Sequence, residues 1–148
     1  MAGIRMLPDT VTLYNYAGED QDGRATYAVT VLRNVYCSEQ FGTDYDKEGK
    51  KSANKAMLYI FDANSVAESA DGAPKSYLPY SEWINSDSEE SFWTLSDQGD
   101  DYFVNGLHNS NRPQDIRNSH KIVSVSRFKA GQRRMWHWTV CDRAVRGR

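Results

Sequence analysis

Three carboxylates, Asp97, Asp100 and Asp101, crowd one short stretch of the chain. Paired carboxylates do acid–base work when burial drives their pKa values apart. Here they stand beside Ser96, Gln98 and Gly99, which are polar and turn-forming, so the cluster reads as a solvated turn. It also lacks the alternating acidic ligands and closing Glu of a calcium loop. His108, His120 and His137, with Cys37 and Cys141, are the right types for zinc, but no CxxC or HxxxH spacing joins them. They read as structural, with His137 packing or hydrogen-bonding on its strand. There is no GxSxG, P-loop or GxGxxG. No catalytic, cofactor or metal site is expected, and the chain does not read as an enzyme. Arg133-Arg134 ahead of Trp136 and Trp138 is a different signal. Bases beside aromatic rings are how small β-barrels hold single-stranded nucleic acid. Two Trp on one strand face are more often core residues, and a net charge of -2 confines any such footprint to one patch.

The elements that would position these residues are short strands. The stretch Ser91–Gly106 reads strand, acidic turn, strand, turn: Phe92–Leu95, Asp97–Asp101, Tyr102–Val104, then Asn105-Gly106, a hairpin-type signal. Asp9–Tyr16 alternates, with Val11 and Leu13 against Thr10, Thr12 and Tyr14, and predicts a half-buried strand. Ala17–Arg24 predicts a polar turn, and Thr26–Ser38 a long strand that Arg33-Asn34 bends or bulges. Gln40–Lys55 holds little to bury and predicts a long loop. Ala56–Asp62 predicts a buried strand, and Asn64–Ser76 a polar loop. Tyr77–Tyr80 is extended and edge-like at Pro79. Ser81 could cap one helical turn through Asn85. His108–Ser119 is a loop, Lys121–Phe128 a strand and Arg134–Asp142 the closing strand, with Trp136, Trp138 and Val140 on one face. The fold class is therefore all-β: a small β-barrel or sandwich of about seven or eight short strands with long polar loops. One domain over residues 6–142 is expected, with flexible termini at 1–5 and 143–148.

The composition fits that plan. The 148 residues suffice for one real core. Nine Tyr and four Trp favour strands and interfaces. Between Ser76 and Asn111 there are seven acids and no Lys or Arg, whereas Arg127–Arg148 carries seven bases and one acid. Such runs are solvated surface or complementary faces of a head-to-tail assembly. Two cysteines do not make a disulfide scaffold, and a Cys37–Cys141 bridge needs Cα atoms within about 7 Å. With neither a leader-like start nor an apolar run of membrane length, a soluble chain made in a reducing compartment is expected.

Met6-Leu7-Pro8-Asp9-Thr10-Val11-Thr12-Leu13-Tyr14-Asn15 resembles the opening of small minor capsid and head–tail connector (head completion) proteins of tailed phages and prophages of Gram-positive bacteria. The likeness continues through a strand ending near Val35-Tyr36, the apolar strand Met57–Phe61 and the run Gly99–Gly106. It closes with Trp136-His137-Trp138-Thr139-Val140 after a Gly turn. It covers most of Met6–Asp142; the polar stretch Asn64–Ser76 and the basic tail fall outside it. The resemblance implies a non-enzymatic virion part, made in the bacterial host cytoplasm. Such a part is a compact β-barrel subunit that joins others in a ring between portal and tail, or completes the tail end. Its implied partners are the portal, neighbouring connector or tail proteins and its own copies, as a monomer before assembly. DNA would only pass through the channel, and no membrane is involved. Tyr45, Lys47, Lys50, Lys51, Arg133 and Arg134 are the implied assembly-interface residues, with Tyr45–Lys51 in a loop that changes conformation on assembly. The alternative is a small β-barrel binding module for single-stranded nucleic acid or another protein.

Overall fold

A computed structural model describes residues 8–40, 43–46, 49–52, 55–62, 65–86, 90–98, 100–129, 131–132 and 137–142, with backbone alone at 43–46 and 49–52. Twelve strands appear among the described residues: β1 (Asp9–Glu19), β2 (Ala25–Gln40), β3 (Thr43–Asp46), β4 (Gly49–Ser52), β5 (Lys55–Phe61), β6 (Val66–Glu68), β7 (Ser76–Tyr77), β8 (Phe92–Trp93), β9 (Tyr102–Asn105), β10 (His120–Lys121), β11 (Ser124–Phe128) and β12 (His137–Cys141). One helical turn, α1 (Tyr80–Trp83), follows β7. Eight strands form one hydrogen-bonded network in the order β10-β9-β1-β2-β5-β12-β11, with β6 on the side of β2. The network is not closed into a barrel. The fold is all-β and sandwich-like.

Strand β2 makes this architecture possible. Its first part pairs with β1, from Ala25↔Glu19 to Val35↔Asp9. Its last part pairs with β5, from Tyr36↔Tyr59 to Gln40↔Lys55. Between them lies the expected bulge: the register against β1 steps from Arg33 to Val35, and Asn34 has φ 59°. Asn tolerates that left-handed conformation better than a β-branched residue. The ends of the network are joined by the chain itself, because β10 and β11 are separated only by Ile122 and Val123. There Ile122 N–H donates to the Asp101 carbonyl and Val123 N–H to the Cys141 carbonyl, both at 2.9 Å. The expected single strand Lys121–Phe128 is thus two strands around a corner.

The core gathers Val11 and Leu13, Leu32 and Val35, Ala56, Leu58 and Ile60, Trp93 and Leu95, Phe103, Ile122, Trp138 and Val140. Strand β1 is buried on both faces from Val11 to Asn15, not half-buried. The reason is the segment 106–114. The Thr12 hydroxyl donates to the Gly106 carbonyl, the Tyr14 hydroxyl to the Ser110 carbonyl, and the Gln114 amide to the Tyr27 hydroxyl. What alternation marks as the solvent face is roofed by a loop.

Other expectations are corrected. Ser91–Gly106 is not a hairpin: β8 pairs in parallel with β7, while β9 pairs with β1 and β10. Gly106, at φ 99°, ends β9 by donating to the Thr10 carbonyl at 2.7 Å. The polar turn shrinks to Asp20–Arg24, since β1 runs to Glu19, and the Asp20 carboxylate accepts from the Asp22 and Arg24 amides. Within the expected loop Gln40–Lys55 lies an antiparallel β3–β4 hairpin, and within Asn64–Ser76 lies β6. The helical turn begins earlier than expected: Pro79, not Ser81, stands at its N-cap position, with no side-chain hydrogen bond closing it. Strand β5 is buried on one face only, through Ala56, Leu58 and Ile60. The expected flexible residues 1–5 and 143–148, and the strand residues Arg134–Trp136, lie outside the described residues.

Candidate functional site

The side chains that β5 and β12 turn away from the core make a row of rings. Directly opposed residues on neighbouring strands share a face and come within side-chain contact. Phe61 opposes His137, and His137 opposes Phe128. Their ring centroids lie 5.3 and 5.2 Å apart. Two residues along, Tyr36 opposes Tyr59 and stacks on it at 5.7 Å, and Tyr59 lies 6.3 Å from His137. The row crosses four strands: β2, β5, β12 and β11. At its ends Tyr36 is 43% and Phe128 48% exposed, large apolar side chains that the described fold does not cover. The row pairs aromatic bodies with the Tyr36 and Tyr59 hydroxyls and the His137 ring nitrogens, a surface suited to contact rather than to bond chemistry.

The opposite face of the same strands is core. Trp138 is 5% exposed and packs against Tyr77 at 4.8 Å and Trp93 at 5.7 Å. The Arg127 guanidinium sits 4.3 Å from the Trp138 ring centre and 5.5 Å from Tyr77, and donates to Asp62 Oδ2 at 3.1 Å. A cleft of about 420 Å³ opens beside these rings, lined also by Leu32, Ile60 and the buried Lys75. The Lys75 ammonium donates to the Val29 carbonyl and the Thr30 hydroxyl. Trp138 is therefore a core residue under an arginine, not an exposed stacking platform.

The expected solvated turn divides. Asp97 and Asp100 are exposed, and Asp100 pairs with Lys121 at 3.0 Å. Asp101 is buried, at 1% exposure. It accepts from the Tyr16 amide at 2.8 Å and the Asn15 amide at 2.9 Å. Burial outweighs these hydrogen bonds and pushes its carboxyl up to about 6. Asn15 in turn donates to the Thr94 carbonyl and accepts from its amide. These links tie Asp101 to β1 and, through Asn15, to Thr94.

His120 is 3% exposed and lies between two carboxylates, Nδ1 2.8 Å from Asp142 and Nε2 2.7 Å from Glu39. Glu39 also accepts from the Asn105 side-chain amide. Nothing in the spacing of Glu39, His120 and Asp142 signals this bridge; it arises where the ends of β2, β10 and β12 converge. His108 lies 2.9 Å from the Asn105 carbonyl, and His137 belongs to the aromatic row. Among the described residues no group of three or more His, Cys, Asp or Glu side chains is set to hold a metal ion. Cys37 opposes Leu58 and Cys141 opposes Met57, on opposite faces and on either side of β5. Two strand spacings are about 10 Å, beyond disulfide reach, and both thiols are free. Burial first, then Glu39, Asp9 and Asp142, pushes the Cys37 thiol up to about 12, so it is not a nucleophile at neutral pH.

Of the expected interface residues, Tyr45 opposes Lys50 in the β3–β4 hairpin, next to the pair Asp44↔Lys51. Lys47, Arg133 and Arg134 lie outside the described residues, as does Trp136. The aromatic row is a surface that no local sequence pattern singles out. Part of its signal is present in β5 and β12, where aromatic residues and His alternate with the core set. Its partners Tyr36 and Phe128 depend on register. No described helix is long and apolar enough to cross a membrane.

No curated protein and no solved structure matches the chain. A family model does match, over residues 6–141. The chain therefore belongs to DUF6751, a family of unknown function.

Proposed function

We propose that this chain is a non-enzymatic structural subunit of a phage particle, a minor capsid or head-completion protein that joins others in a connector ring between portal and tail. The observation that carries the reading is the aromatic row from Tyr36 to Phe128, whose two end residues are exposed among the described residues. Exposed aromatic patches on a compact β-domain suit partner surfaces. The ordered likeness of Met6–Asp142 to connector proteins supplies the kind of partner. In a ring the row would meet a different face of the next copy, a heterologous contact. The hairpin holding Tyr45, Lys50 and Lys51 stands outside the eight-strand network. In this reading it rearranges on assembly together with Lys47, and Arg133 and Arg134 complete the contact. The subunit is a monomer in the host cytoplasm, enters the virion with the portal or a neighbouring tail protein, and meets DNA only as it passes.

The test is sedimentation over a wide concentration range, alone and with the portal protein encoded in the same gene cluster. Ring-sized species or a portal complex are expected. Tyr36→Ser with Phe128→Ser should remove them while circular dichroism stays unchanged. A monomer at every concentration with no portal binding sinks the proposal. The same row could instead stack the bases of a single strand. Salt-dependent binding of oligo(dT), lost in that double variant, would favour this second reading.

A further inference from the structure

We propose that the Glu39–His120–Asp142 bridge is a proton-dependent clamp on the root of the β3–β4 hairpin. The chain enters the hairpin through Glu39 and Gln40 and leaves it through Lys55 and Ala56. Both roots end on the bridge. Glu39 Oε2 lies on His120 Nε2, and Asp142 Oδ2 on His120 Nδ1. The other Asp142 oxygen accepts the Ala56 amide at 2.7 Å, and the Asp142 amide donates back to the Ala56 carbonyl at 3.2 Å. Ala56 is the ladder partner of Glu39. One imidazole thus pins the last pairs of the β2–β5 ladder to β10, across the end of the sandwich.

The clamp works in one protonation state. Ionised carboxylates only accept, so two of them at 2.7–2.8 Å require an N–H on each ring nitrogen. The neutral ring has one N–H, and its other nitrogen would set a lone pair against a carboxylate oxygen. Among the described residues, the groups gathered at this end include Glu39 and Cys37 of β2, Asp142 beyond β12, Asn105 and the Phe103 ring of β9 (5.2 Å from His120), and Asp9 of β1, which accepts the Cys37 amide. The adjacent Lys121 turns to Asp100 instead. Burial alone would lower the His120 pKa, but the hydrogen bonds to Asp142 and Glu39 outweigh it and raise it above the usual 6.5. The sign follows. The clamp is fully formed below the unfolded pKa and is lost as pH rises through the raised one. This inference concerns the single chain and stands whether or not the chain assembles.

The experiment follows the full chain by NMR from pH 6 to 10. It reads the His120 imidazole shift beside hydrogen exchange, corrected for intrinsic rate, at Ala56, Leu13 and Val31. Protection at Ala56 should fall about tenfold or more along the His120 titration, while Leu13 and Val31 hold. Glu39→Gln should move the titration and the release together to lower pH. His120→Gln should show weak, pH-independent protection at Ala56. The clamp is overturned by an Ala56 amide indifferent to the titration, by equal loss at all three amides, or by a His120 that does not titrate in this range. If His120→Gln fails to fold, the Glu39→Gln shift alone decides.

Discussion

Asp101 shows what a single residue can do when an acidic turn is folded inward. Its carboxylate closes the gap between β1 and the segment after β8, through Asn15 and the Tyr16 amide, and its carbonyl receives the Ile122 amide. A carboxylate raised by burial to about 6 binds its proton more tightly in the folded chain than in the unfolded one, where the ordinary value is 3.8. Stability therefore rises as pH falls from 6 towards 3.8 and is flat above 6 for this group. Two pKa units correspond to about 3 kcal/mol. Asp101→Asn removes that pH-dependent component and sets an amide N–H against a donor. Leaving a buried donor unsatisfied costs about 1–3 kcal/mol. Urea titrations of both proteins at pH 7 and pH 4.5 test this. The wild-type advantage should widen at pH 4.5, and a gap that narrows there contradicts the account.

At the scale of the element, β2 is the piece that sets the architecture, and Asn34 is its pivot. Its backbone sits at φ 59°, and its carbonyl accepts the Ser65 hydroxyl at 2.7 Å, next to the start of β6. A β-branched residue in that conformation is strained by about 1–2 kcal/mol. Asn34→Val should lose roughly that much in chemical unfolding, and Asn34→Gly should lose less. Equal losses would show that the side chain, not the backbone, matters at this bulge. The bulge was legible because Arg33-Asn34 interrupts a run of Val and Thr. So were the strand class of β1, β2, β5 and β12 and the core set Val11, Leu13, Trp138 and Val140, which local alternation specifies. The roof over Thr12 and Tyr14 was not, because it is made by residues nearly a hundred positions away. Neither was the pairing of β9: Asn105-Gly106 marks a turn, but nothing local says that the partner is β1 rather than β8. The aromatic row and the His120 bridge share that origin, since each needs the register of several strands at once. The apolar spacing of Phe61, His137 and Phe128 only becomes a row once β5, β12 and β11 are aligned.

The whole molecule has two halves that cannot part cleanly. On one side β10, β9 and β1 pair in line, β1 lying against the first stretch of β2; on the other β5, β12 and β11 pair in line from its last. A shared strand, the Ile122–Val123 corner and the His120 bridge cross between them. The core is also common to both, since Leu13 and Phe103 belong to the same cluster as Leu58 and Trp138. Such a chain should unfold as one cooperative unit, although its strands could be drawn as separate sheets. Leu13 and Leu58 are each fully buried, one in either half. Truncation of a buried Leu to Ala costs about 2–5 kcal/mol. Leu13→Ala and Leu58→Ala should each move a single transition by an amount in that range. Tryptophan fluorescence, to which the buried Trp138 of β12 and its ring neighbour Trp93 of β8 contribute, and far-ultraviolet circular dichroism, which sees every strand, should then report the same midpoint. In the Leu13→Ala protein this coincidence is the sharp test, because the substitution is on β1 and Trp138 is on β12. A Trp midpoint left at the wild-type value while the circular dichroism shifts would mean that the halves fold independently, and that β2 is a hinge between two units.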